Sequence, residues 1–113
     1  MKKVQIATIL LAGAVFTASA YADGAATFNK GTCNTCHQPA VDTTGPSLKA
    51  IATAYKGKEA ELVAFLKGSN KTKMETGRFA GMYNSIMKAN VTNISSKWSD
   101  ADRSAVAKYI LKH

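Results

Sequence analysis

Cysteine, proline and acidic side chains are all scarce in this 113-residue chain, and each scarcity removes a class of answer. The two cysteines, Cys33 and Cys36, lie too close together to staple distant parts of a fold, so a disulfide scaffold is excluded. Repeats and low-complexity segments are absent, which removes solenoids and disordered linkers. Strand signals are missing too, since no alternating run of β-branched residues lasts more than a few positions. The acidic residues offer no pair placed for general acid–base work. Asp100 and Asp102 mark one helix start, and Glu59 and Glu61 another. After the first 22 residues no second long apolar stretch follows, so the rest of the chain is expected to be soluble.

What is there begins with an address. Met1-Lys2-Lys3 is a short positive region, and Val4 to Phe16 is mostly apolar. Ala18-Ser19-Ala20 and Ala20-Tyr21-Ala22 both fit an Ala-x-Ala cleavage pattern. This is the pattern of a secretory signal peptide over residues 1–22, cleaved after Ala22, with Ala20 as second choice. The apolar core of 13 residues falls short of the roughly 20 that span a bilayer. Residues 23–113 remain, enough for one domain with a thin core of its own.

Charge is one-sided, with 15 basic and 7 acidic residues giving +8. Without Lys2 and Lys3 the balance is +6. A basic protein can bind nucleic acid, but an exported chain rarely meets it and no nucleic-acid motif is present. Two readings of the lysines stay open: solvated charge for solubility, and steering toward an acidic protein partner.

The spacing of apolar residues predicts helices throughout. One runs from about Gly24 to Cys33, with Phe28 facing inward and Gly31 allowing close backbone approach. A second, Ser47 to Tyr55, sets Leu48, Ile51, Ala52 and Tyr55 on one face, with Ser47 as cap. A third, Glu59 to Lys67, carries Leu62, Phe65 and Leu66, with Gly68 just beyond. Ser69 to Arg78 is polar and is expected to be a loop. The last helix starts at Ser99, with Asp102 completing a short capping box, and carries Val106, Tyr109 and Ile110 inward.

Cys33-Asn34-Thr35-Cys36-His37 is the motif that carries chemistry. Cys-x-x-Cys-His is the attachment site of a c-type haem. Two thiols on one helical turn reach the two vinyl groups of one porphyrin, and the adjoining His37 then lies under the iron as its fifth ligand. A bare Cys-x-x-Cys also fits a redox disulfide or half of a zinc site. The redox reading normally comes with a βαβ pattern that this chain lacks.

Together with Gly45-Pro46-Ser47-Leu48 and the final amphipathic helix, this motif resembles the class I cytochromes c. The likeness is closest to the small monohaem electron carriers of the bacterial periplasm, and it covers residues 23–113. The resemblance implies an all-α fold packed around one covalently attached haem c, bound through Cys33, Cys36 and His37. It also implies that the Pro46 carbonyl accepts a hydrogen bond from His37, orienting the ring, and that Phe28 meets Tyr109 where the first and last helices cross. The family's sixth ligand is a methionine before the last helix. Met87 is the first choice here, Met82 the second, and Met74 or no methionine the remainder. The proline usual near that methionine is missing, and the segment from Phe79 to Trp98 is long.

Trp98 fits a packing residue, or a donor to a haem propionate. His113, at the chain end, is expected to fray rather than bind metal. The implied function is periplasmic single-electron transfer by a monomer that serves redox proteins with acidic docking surfaces, or the same role as the haem subunit of a complex. A five-coordinate haem protein that binds or reduces NO or O₂ is the alternative, and it requires that no methionine reach the iron.

Overall fold

Asp23 opens the first helix, its carboxylate accepting the Ala26 N–H at 2.9 Å. The computed structural model describes residues 23–113, so the expected leader lies outside the described residues. Among the described residues five α-helices follow one another: α1 Gly24–Lys30, α2 Leu48–Ala54, α3 Glu59–Lys67, α4 Lys88–Asn93 and α5 Asp100–Leu111. No strand is present among the described residues beyond an isolated bridge between His37 and Asp42. The all-α expectation holds.

Helix starts match the capping chemistry. Ser47 Oγ accepts the Ala50 N–H at 3.0 Å, and Ser99 Oγ accepts the Asp102 N–H at 3.0 Å, each satisfying a donor the helix leaves orphaned. Only this half of the box at Ser99 forms. Glu59 and Glu61 lie in the first turn of α3 and Lys67 in its last, as the helix dipole favours. Gly68 ends α3 at φ +95°, a left-handed conformation that glycine adopts without strain.

Two segments differ from expectation. The first helix stops at Lys30 rather than Cys33. Thr32 takes φ +61°, which breaks the helix, and Cys33–Thr35 follow as a separate 3₁₀ turn. The long stretch before the last helix is itself helical: a π turn, Tyr83–Met87, leads directly into α4, and Ser95–Lys97 form a further 3₁₀ turn.

The core sits where α5 packs across α1, α2 and α3. Val106 and Ala107 are fully buried, with Ile110, Leu48, Leu62, Phe65 and Phe28 around them. Each of the larger side chains among them contributes about 1.5–3 kcal/mol through the apolar area it removes from water. Phe28 and Tyr109 stack in tilted contact at 5.4 Å between ring centroids, as the resemblance implied. Arg103 is a core member with no warning in the apolar pattern. It is buried, and its guanidinium donates to the carbonyls of Ser95, Ser96 and Trp98 and to Asp100 Oδ1. A buried charge needs such partners. The Arg103 hydrogen bond holds the Asp100 carboxyl below the usual carboxylate range.

Candidate cofactor cleft

The break at Thr32 sets the site. The Cys33–Thr35 turn is closed by the Cys36 N–H to Cys33 O bond at 3.2 Å, and the His37 N–H reaches the same carbonyl at 3.0 Å. Both thiols and the imidazole therefore leave one tight loop, and all three line one cleft. Gly31 lets Trp98 approach from the other side: a Cβ there would meet Trp98 Cζ2 at 3.0 Å and Cys33 Sγ at 3.4 Å.

His37 is fixed by the segment after it. Its Nδ1 lies 2.7 Å from the Pro46 carbonyl. A carbonyl can only accept, so Nδ1 carries the proton and Nε2 keeps the free lone pair. Burial pushes the imidazole below its ordinary pKa of 6.5, against the opposing effect of the Pro46 bond. The ring is neutral at pH 7 and fit to donate to a metal. The loop from Gln38 to Pro46 is itself locked: Gly45 N–H and Thr43 Oγ1 both donate to the Cys36 carbonyl, at 2.9 and 3.0 Å. Arg78 donates to the Thr43 carbonyl, tying the later polar loop to this one.

Burial also pushes the Cys33 thiol above its ordinary value of 9.0. A reactive redox cysteine needs the opposite shift, toward thiolate. Both cysteines are free and half-buried rather than joined.

The cleft walls are apolar. Ile51 from α2, Leu62, Phe65 and Leu66 from α3, and Val106 and Ile110 from α5 supply them. Counting its open mouth, the cleft encloses about 1220 Å³. A broad planar apolar group with two thiols and a neutral imidazole at its edge fits this donor set. All three candidate methionines, Met74, Met82 and Met87, line the same cleft. Met74 and Met87 also pack, half-buried, on the hydrophobic core. Trp98 lines the cleft as well. His113 does not; rather than hanging free, its ring packs edge-on against Tyr109 at 5.0 Å.

Two site residues carry more than their sequence pattern showed. Gly45 stands against the imidazole, where a Cβ would lie 2.7 Å from His37 Cε1; glycine beside Pro46 was the signal, though by itself that pair fits an ordinary turn before a helix better. Tyr55 was legible only as an apolar helix position. Its hydroxyl accepts the Lys73 N–H at 3.1 Å, across 18 residues of sequence, and nothing in the pattern announces that pairing.

A helical chain whose apolar cleft gathers Cys-x-x-Cys-His on one loop defines a protein built to carry haem covalently. The Cytochrome c family model matches residues 21–113, and the chain belongs to that family. Its cofactor is therefore covalently attached haem c, and its role is that of an electron carrier. Comparison with individual curated proteins finds no match.

Proposed function

We propose that this protein is an exported, periplasmic monohaem electron carrier, with Cys33 and Cys36 as attachment points and His37 and Met87 as axial ligands. The single observation that carries the reading is the 2.7 Å bond from His37 Nδ1 to the Pro46 carbonyl. It leaves Nε2 as the donor nitrogen in the cleft that the thiols and the methionines share. Bound there, haem c supplies a one-electron Fe(III)/Fe(II) couple. The residues do the rest. The Pro46 bond keeps the His37 ring from turning and makes it a better donor. Met87, at the end of the π turn and half-buried on the core, offers a soft thioether, which favours the ferrous state and raises the potential. The walls from α2, α3 and α5 exclude water, and because His37 and Met87 each sit on a fixed loop or turn, little rearrangement accompanies a change of charge.

Export rests on the charge and apolar pattern of residues 1–22. No helix among the described residues is long and apolar enough to cross a membrane. Docking follows from charge. Ile86 lines the cleft and is 40% exposed, and the exposed Lys88 follows Met87 directly. An acidic partner is the complement of such a rim.

Optical spectra of the oxidised and reduced protein test the ligation. Low-spin, six-coordinate spectra in both states are expected. A five-coordinate, high-spin form in either state would replace electron carriage with binding of a small ligand. The docking reading has its own test, stopped-flow electron transfer to an acidic partner at several ionic strengths. The rate should fall steeply with salt, because charges more than about 10 Å apart are largely screened at 0.1 M. Lys88→Glu should lower both the rate and its salt dependence; a flat profile leaves the lysines to solubility alone.

A further inference from the structure

We propose that Met74 is a second sulfur donor for the position assigned to Met87, held ready in the cleft by Tyr55, and that it takes that position when the Met87 sulfur is removed. This rests on the ligation reading above. The three cleft methionines are not equivalent. Met74 and Met87 line the cleft and also pack on the core, whereas Met82 lines it without being one of the side chains packed there. A thioether on three rotatable bonds is adaptable, so two such sulfurs in one cleft compete for one vacancy.

The polar segment around Met74 is pinned. Thr72 Oγ1 accepts the Met74 N–H at 3.0 Å. Tyr55, 2% exposed at the end of α2, accepts the Lys73 N–H at 3.1 Å. The Lys73 ammonium sits 5.9 Å from the centre of the Tyr55 ring and 3.0 Å from Glu61 on α3. The residue before Met74 is thus fastened to two helices at once. A surface loop would otherwise be among the more mobile parts of a fold. A donor so tethered acts at the effective concentration of an intramolecular ligand, which reaches millimolar or more.

The test uses the haem-loaded full protein, read by the ferric spin state and the reduction potential. Leucine replaces methionine so that volume is kept and folding with it. Met74→Leu alone should leave the native spectrum unchanged. Met87→Leu alone should remain largely low-spin with a thioether bound, at a shifted potential. The double variant should turn high-spin or hydroxide-bound. Tyr55→Phe should leave the native spin state alone but raise the high-spin fraction in the Met87→Leu background, an effect that packing alone does not produce. If Met87→Leu is already as high-spin as the double variant, the reserve donor is overturned and Met87 stands. If the double variant keeps a thioether bound, Met82 is the reserve and Met74 is not; if Met74→Leu alone turns high-spin, Met74 holds the position in the native protein. The first outcome overturns the Met74 reserve, and the second overturns the Met87 reading with it.

Discussion

A methyl group added at Gly45 meets the His37 ring. An alanine Cβ there would sit 2.7 Å from Cε1 and 3.0 Å from Nδ1, closer than carbon atoms tolerate, while the ring is already held at 2.7 Å by Pro46. Gly45→Ala should therefore tilt the imidazole and break its bond to the carbonyl. Overpacking of this kind costs about 1–3 kcal/mol, and the loss should register in the haem spectrum as well as in a lowered melting temperature. An unchanged spectrum would mean that the loop yields instead of the ring. Tyr55 makes a prediction about pH. Burial raises its phenol above the ordinary value of 10.0, against the lowering effect of its bonds with Lys73 and Thr72. The unfolded chain then gives up this proton first as pH climbs past 10. The stabilising contribution is complete below that value and is lost as pH rises through the raised folded value. Thermal melts of the native protein and Tyr55→Phe at pH 8 and 11 should show the gap between them closing at the higher pH.

At the scale of the helix, the contact that sets the architecture is the crossing of α1 and α5. Gly24 stands so close that a Cβ would lie 2.1 Å from the Ala105 carbonyl oxygen. Gly24→Ala should push the helices apart and weaken the Phe28–Tyr109 contact, itself worth about 0.5–1.5 kcal/mol beyond burial. A loss of about 1–3 kcal/mol or more is expected in denaturant unfolding. Because Gly24 lies outside the cleft lining, the spin state of the protein that remains folded should not change. The apolar faces of α2, α3 and α5 were legible because period and caps agree. The end of α1 was not. Thr32 carries no helix-stopping signal, and its φ of +61° is imposed by the turn that brings Cys33, Cys36 and His37 together. The π turn that ends at Met87 was hidden for a similar reason: its residues fit a helix face and a loop equally well, and packing of Tyr83 on Phe65 at 5.8 Å accompanies the helical choice.

The whole molecule leans on its cofactor. Among the described residues its helices run from 6 to 12 residues, at or below the roughly 12–15 at which isolated helices are marginal in water. Part of their apolar surface lines a cleft instead of packing on a neighbouring helix. Replacing both Cys33 and Cys36 with alanine should leave little cooperative folding, read as weak helical circular dichroism and a broad thermal transition. A haem-free variant that stays helical and melts sharply would show that the protein core suffices alone.

The sequence by itself determined the haem motif, the helical class and three of the capped helices, because these follow from local spacing and local hydrogen bonds. The proline carbonyl nine residues past His37 was named by family resemblance, and His37 Nδ1 lies 2.7 Å from it. Only the tertiary structure decided the rest. Arg103 is buried because three carbonyls from the preceding turn converge on it, Tyr55 matters because a loop 18 residues on folds back to its hydroxyl, and Met74 reaches the cleft through that same return. Tyr55 and Met74 depend on segments distant in the chain arriving at one place, and Arg103 on a turn that folds back over its own helix; spacing along a single helix or loop holds no record of where another will land.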